Sequence, residues 1–444
     1  MHDTPEAFTA ALKESRMDAV LTSLYGQGQL PAQKRRYLRL LEALTSRLAP
    51  SEAIVVSAPG RTELGGNHTD HNHGRVLAAA VQMDCVAVAA PNPTPEVVMH
   101  SVGYPEPIRV DLTDLAPRTA EQGRPEALIR GVAAALADRG DRVGGWTACV
   151  DSTVLPGSGL SSSAALGVAL GGIFNHLFNK GRLTALELAL VAKQAENVFF
   201  GKPCGLMDQL TSSLGGILHI DFQNPLAPGM ENLDCHFSEA GYRIAVVNTG
   251  GSHAELTPEY AAITEEMHAV ASLLGRDVLR GMTMENIIRS VPRLRAKAGD
   301  RAILRALHFI EENDRVTAMV AALRRKQMDA YLDLVSASGN SSWRLLQNSA
   351  PAATPHAQGI PLALALTERF LDGRGACRVH GGGFAGTIQT YVPYAQFPAY
   401  RQFMDTIFGT GSVQPLRIRR PGLLRLRPDG RDPTFKETGS SCAM

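Results

Sequence analysis

The chain carries almost no excess charge of either sign. Lysine and arginine total 44 against 43 aspartate and glutamate, a formal net charge of +1 over 444 residues. No global field therefore draws it to nucleic acid or to a membrane surface. Cysteine is sparse: Cys85, Cys149, Cys204, Cys235, Cys377 and Cys442 form no Cys-x-x-Cys pair. They read as reduced thiols of a cytoplasmic protein. No apolar stretch reaches membrane-spanning length without interruption. The opening residues lack a basic region followed by an apolar core, so neither a membrane span nor a secretory leader is expected. No internal repeat is visible. Arginines cluster near the C-terminus (Arg417, Arg419, Arg420, Arg425, Arg427 and Arg431) without interleaved aromatics, which reads as a solvated strand edge and tail rather than a nucleic-acid patch.

What is present is an ordinary globular composition, 44% hydrophobic and 20% charged, long enough for two or three domains. Apolar positions recur at near-helical spacing over 6–48. Strands are expected over 53–57, 76–90, 147–155, 216–222, 243–248 and 413–419, and as flanks of a glycine cluster within 376–392. Helices are expected over 164–178, 184–200, 207–214, from 257 onward, and over 300–326, 328–346 and 394–408. Strands and helices mix without the regular spacing of a doubly wound sheet, so the fold class is α+β. Residues 222–228 are the best linker candidate.

Three glycine-rich stretches carry the chemistry. They are Gly60-Arg61-Thr62-Glu63-Leu64-Gly65-Gly66-Asn67-His68-Thr69-Asp70, then Pro156-Gly157-Ser158-Gly159-Leu160-Ser161-Ser162-Ser163-Ala164-Ala165, then Gly381-Gly382-Gly383-Phe384-Ala385-Gly386. The middle one joins a strand-like run to a helix-like run. Glycines there let backbone approach phosphates, and the first helical turn points its N–H groups at an anion. No lysine follows the glycines, so this is not a Walker A loop. Backbone amides and the helix dipole must do the holding, with a serine hydroxyl available for Mg²⁺. Taken alone, the same residues also suit a tight turn.

Asp208, in Cys204-Gly205-Leu206-Met207-Asp208-Gln209, is a charge among apolar neighbours and needs a partner, for which Arg61 is available. A helix cap is the alternative. The cluster His68-Thr69-Asp70-His71-Asn72-His73 lacks metal-ligand spacing and fits a polyol-binding loop better. Glu196 reads either as a solvated helix residue or as a Mg²⁺ anchor. Tyr260 reads either as core or as a sugar contact.

Together and in this order, the three stretches resemble the GHMP family of small-molecule kinases, and within it the galactokinases. The resemblance runs from about residue 52 to about residue 420. It implies a two-lobed α+β fold with an N-terminal mixed-sheet lobe, a C-terminal ferredoxin-like lobe and the active site between them. On that basis 1–50 is a helical extension, 51–228 the first lobe, 229–427 the second and 428–444 a loose tail. The resemblance places Arg61 and Asp208 as catalytic residues. It places Asn67, His68, Asp70, Gly205 and Tyr260 on the sugar. Gly157, Ser158, Gly159, Leu160, Ser161, Ser162 and Ser163 fall on the ATP phosphates, and Ser162 and Glu196 on Mg²⁺. The implied reaction is ATP-dependent phosphorylation of the C1 hydroxyl of galactose, with a small sugar and ATP as the partners. Thr62, Glu63, Gly65, Asn67 and His71 depart from the family pattern. Asn67 stands where the family has a glutamate that accepts from the sugar's 6-hydroxyl. A kinase for a C6-modified sugar such as galacturonate, or a silent sugar sensor, therefore stands beside the galactose reading.

Overall fold

A computed structural model describes residues 3–154, 157, 159–251 and 256–430. Ser158, Cys442 and residues 431–444 of the expected tail lie outside the described residues. Three helices open the chain, α1 (Pro5–Lys13), α2 (Asp18–Tyr25) and α3 (Leu30–Leu48). Thr4 caps α1 by accepting from Ala7 N at 3.1 Å, with Pro5 in the first turn. Next come β1 (Ile54–Gly65), β2 (Arg75–Pro91), β3 (Glu96–Ser101), β4 (Ile108–Asp111), α4 (Pro125–Asp138), β5 (Trp146–Ser152), α5 (Ser162–Phe178), α6 (Ala185–Gln194), α7 (Met207–Leu214), β6 (Ile217–Asp221) and β7 (Gly229–Leu233). The remainder is β8 (Tyr242–Asn248), α8 (Thr257–Leu273), α9 (Met284–Lys297), α10 (Asp300–Arg324), α11 (Met328–Ser341), α12 (Gly359–Leu371), β9 (Ala376–Val379), β10 (Thr387–Pro393), α13 (Phe397–Phe408), β11 (Val413–Leu416) and β12 (Leu424–Leu426).

The strands form two sheets. The larger runs β12-β1-β2-β5-β3-β4, with β6 pairing β2 and β7 pairing β6. It is mixed, since β3 and β5 are parallel while the other pairs are antiparallel. The smaller sheet, β11-β8-β10-β9, is antiparallel throughout. The fold is α+β, as the mixed pattern predicts.

β1 is buried along its whole length and breaks register at Pro59/Arg61 and Glu63/Gly65. Such irregularities re-aim side chains, and both fall in the first glycine-rich stretch. The 184–200 segment is not one α-helix. A Thr184–Glu187 capping box starts α6, and a π-helical turn over Ala195–Phe200 ends it. That turn shifts the helical phase and leaves Glu196 buried, at 1% exposure.

Three boundaries differ from expectation. The 222–228 segment is not a linker but the turn of the β6–β7 hairpin, in which Asp221 pairs with Gly229. The sheets thus divide after Leu233 rather than at 228/229. β12 returns from the far end of the chain to pair with β1. The C-terminal arginines are not simply a solvated edge, because Arg419 is fully buried.

Arg419 belongs to a buried cluster around Asp84. That carboxylate accepts from Arg36 Nη1 at 2.7 Å, Arg419 Nη1 at 3.0 Å and Tyr25 Oη at 2.5 Å, and also from Ser57. Burial opposes its charge, but Arg36 and Arg419 outweigh it and hold its pKa below the usual carboxylate value. The cluster ties the N-terminal helices, the large sheet and the chain's last strands to one point. Removing one partner of such a pair costs about 3–5 kcal/mol. Asp84→Asn is therefore expected to lower the urea midpoint by an equivalent amount with an unchanged m-value; a midpoint equal to wild type would show that the cluster holds nothing together.

Candidate active site

Arg61 leaves the first irregularity of β1 with its guanidinium pointing at α7. Nε donates to Asp208 Oδ1 at 2.6 Å and Nη2 to Oδ2 at 2.8 Å. The third nitrogen, Nη1, donates to the Gly159 carbonyl at 2.5 Å. A backbone bond from Arg61 N to Leu160 O, 3.0 Å, fixes the same loop to β1. Asp208 also accepts from Ser161 Oγ at 2.5 Å. Burial disfavours its charge, yet Arg61 overrides this and depresses its pKa. Asp208 is thus an ionised acceptor rather than a helix cap.

The chain from Gly159 enters α5 through Ser161, which sits in the left-handed region at φ 62°. Gly159 also has positive φ, and a Cβ there would meet Thr387 Oγ1 at 2.4 Å and His380 Nδ1 at 2.7 Å. Only glycine fits against the third glycine cluster at that point. His380 spans from Thr62 Oγ1, 2.9 Å from Nε2, to Thr387 Oγ1, 3.1 Å from Nδ1. Leu160 is fully buried beneath the loop, while Gly157 is exposed and Ser162 partly exposed at the helix start.

Beside the loop lies a carboxylate box. Ser163 Oγ donates to Glu196 Oε1 at 2.6 Å, and Gln209 Nε2 to Oε2 at 2.7 Å. Lys202 Nζ donates to Oε1 at 2.9 Å. Partial desolvation against the carboxylate disfavours the Lys202 charge, but Glu196, with Asp208 beyond it, outweighs this and raises its pKa. Ser163, not Ser162, is the serine that touches Glu196. Lys202 was not anticipated; its sequence signal was its place six residues after Glu196, ahead of Pro203.

The loop that follows β1 lies on the other side of Asp208. A Cβ on Gly205 would fall 1.6 Å from Asp70 Oδ2, so glycine is required for that carboxylate to sit where it does. Asp70 Oδ1 accepts from His71 N at 3.0 Å. Burial, reinforced by the charge of Asp208, raises Asp70 to about 6. The two carboxyls are pushed apart in acidity by their surroundings, a common arrangement where carboxyls divide roles. His68, neutral through burial, donates Nε2–H to the Gly382 carbonyl at 3.0 Å. Tyr260 Oη donates to the Gly383 carbonyl at 3.1 Å and packs edge-on against Phe384. The third glycine cluster therefore backs both the glycine–serine loop before α5 and the loop after β1.

Asn67 is placed differently from expectation. It is fully buried. Its Nδ2 donates to Glu63 Oε1 at 3.1 Å and to the Gly381 carbonyl at 2.7 Å. Its Oδ1 accepts from Asn348 Nδ2 at 2.8 Å and Ser342 Oγ at 3.2 Å. An amide has two donors and two acceptor positions, and all four are taken by the protein. Glu63 in turn pairs with the buried Arg378. Asn67 here joins the loop after β1 to the residues that follow β9 and to Asn348 and Ser342.

Residues 127–216 match the GHMP kinases N terminal domain. The solved Methanococcus jannaschii mevalonate kinase shares the fold, with a TM-score of 0.59 at 14% identity over 82% of this chain and 98% of that one. The protein is a kinase of the GHMP class. Residues 46–91 match the galactokinase galactose-binding signature. A galactokinase of Streptomyces coelicolor is 30% identical over 82% of this chain and 91% of its own length. One of Actinobacillus pleuropneumoniae is 31% identical over 77% and 86%. The Lactococcus lactis galactokinase solved with galactose superposes with a TM-score of 0.75, at 24% identity over 87% of this chain and all of that one. The chain belongs to the galactokinase family and is a sugar kinase that uses ATP. No helix among the described residues is long and apolar enough to cross a membrane.

Asp70 generates a test of the sugar side. As a carboxylate it accepts hydroxyl hydrogen bonds; once protonated it loses acceptor capacity. Because kcat/KM reports the free enzyme, kcat/KM for the sugar is expected to fall as pH drops through about 6. Asp70→Asn is expected to be slow and to lack that acid limb. An unchanged acid limb in the variant would remove Asp70 from the sugar site.

Proposed function

We propose that the protein transfers the γ-phosphoryl group of ATP to the C1 hydroxyl of galactose, giving galactose 1-phosphate and ADP. The observation that carries this reading is the Arg61 guanidinium, bound at once to Asp208 and to the phosphate-loop carbonyl of Gly159. A hydroxyl beside Asp208 and a phosphate over the loop would meet at one cation. Asp208, ionised and of low basicity, orients the attacking hydroxyl and takes its proton as the P–O bond forms. Arg61 balances charge on the transferring group. Backbone N–H groups of 157–163 and the positive end of α5 hold the phosphates. Catalysis of this kind is mainly positioning and electrostatics.

The donors Glu196, Ser162 and Ser163 are hard oxygen ligands of the kind Mg²⁺ takes together with nucleotide phosphates, and a cation, Lys202, already rests on Glu196. They fit the metal and would hold it. When bound it supplies charge neutralisation on the phosphate oxygens.

The galactose-binding signature over 46–91 and the galactokinase relatives support galactose as the substrate. The galacturonate alternative drew on Asn67 standing in for the family glutamate, and the Asn67 amide is fully engaged within the protein. An ADP-release assay across galactose, galacturonate, glucose and mevalonate tests the reading, with the product's phosphate position read by NMR. Galactose is expected to give the highest kcat/KM, with phosphate on C1. Turnover of galacturonate with galactose ignored, or phosphate on another carbon, overturns it.

A further inference from the structure

The phosphate loop has no lysine of its own, yet one stands beside it. The π-helical turn Ala195–Phe200 ends on Gly201, at φ 79°, and Lys202 N donates back to the Glu196 carbonyl at 3.1 Å. This turn aims the Lys202 side chain over the Glu196 carboxylate. Its ammonium lies 2.9 Å from Glu196 Oε1 and 3.4 Å from Ser163 Oγ, in the first turn of α5. Glu196 is 1% exposed and the Lys202 side chain 50% exposed. The carboxylate is fixed inside; the ammonium covers it from the open side. Among the described residues Lys202 is the only ion-pair partner within 4 Å of Glu196.

Two cations cannot share that oxygen at contact distance. A hard divalent ion arriving with a nucleotide needs the carboxylate. An ammonium on a flexible four-carbon stem is the partner able to leave. It is set free at the N-terminal turn of a helix, where anions are favoured. We propose that Lys202 is a nucleotide-phosphate ligand: it covers Glu196 while the cleft is empty and turns to the phosphate oxygens when the nucleotide enters, yielding Glu196 to the metal. The lysine missing from the loop is thus supplied by the segment that also supplies Glu196. This rests on the kinase reading of the cleft and on Glu196 as a metal ligand; it is independent of which sugar is bound.

Calorimetry with ADP tests it, in EDTA and then in Mg²⁺, on wild type, Lys202→Met and Lys202→Arg. In EDTA, Lys202→Met is expected to bind ADP about tenfold more weakly, the loss typical of one charged hydrogen bond. Lys202→Arg is expected to recover most of it. The gain in ADP affinity on adding Mg²⁺ is expected to be larger in Lys202→Met than in wild type, because no ammonium competes for Glu196. If wild type binds ADP and Lys202→Met matches it in EDTA, or shows an equal or smaller Mg²⁺ gain, the proposal fails while the nucleotide site stands. If wild type binds no ADP under either condition, the nucleotide site itself fails. Should Lys202→Met not fold with Glu196 left unpaired, the double variant Lys202→Met/Glu196→Gln removes that charge, and undiminished metal-free ADP binding there overturns the proposal.

Discussion

The buried pair of Arg61 and Asp208 is the interaction on which the rest of the site depends. Both side chains are nearly withdrawn from solvent, 8% and 13% exposed. Taking two charges out of water is costly unless geometry and further hydrogen bonds repay it. Here the fork is bidentate, the third guanidinium nitrogen has the Gly159 carbonyl, and Asp208 has the Ser161 hydroxyl. These groups come from three segments: Arg61 from the irregular strand β1, Gly159 and Ser161 from the glycine–serine loop before α5, and Asp208 from the start of α7. The pair therefore fixes three backbones with respect to one another as well as holding Asp208 ionised.

Behind this pair lies a second layer of buried polar contacts. Glu63 meets Arg378, Asn67 meets Asn348 and Gly381, His308 Nε2 donates to the Asn67 carbonyl, and Glu312 accepts from Gly66 N and Ser338. Nearly every one of these links joins the end of β1 and the loop after it to the helices and strands of the second half of the chain. Burial raises the pKa of Glu63 despite Arg378, whereas Glu312, opposed by burial but flanked by His308 and Arg315, is held at about 2. Asn348 Oδ1 and Arg378 Nη1 in this network have no hydrogen-bond partner among the described residues, so it is satisfied at most of its atoms rather than all. It sets the position of the loop after β1 relative to the third glycine cluster.

Much of this was legible in the sequence, and the limits have physical causes. Long periodic segments such as α3 and α10 announce themselves, and so do strands with glycine-bounded apolar runs such as β2. α4 was missed because ten of its fourteen residues are buried, so no amphipathic stripe marks it. β3 and β4 are short, β4 at the sheet edge with charges at alternate positions, and β12 is three residues long. At the site, the pairing of Arg61 with Asp208 followed from a charge that needed a partner. The engagement of Asn67 did not, because Asn348 and Ser342 lie far along the chain and no local pattern points from one to the other. Arg419 was misread for the same reason: a surface-like arginine run gives no sign that one member meets an aspartate 335 positions earlier.

The central claim is that Arg61 and Asp208 act as one unit in phosphoryl transfer. A double-mutant cycle on kcat/KM with Mg²⁺-ATP and galactose measures this directly, using Arg61→Met, Asp208→Asn and the double variant, each first shown to unfold cooperatively. Groups that act together lose far less on joint removal than the sum of their separate losses. The account predicts single losses of about 10²–10⁴-fold or more and a double variant within about tenfold of the worse single. Losses that add in free energy would show two independent residues and contradict the account.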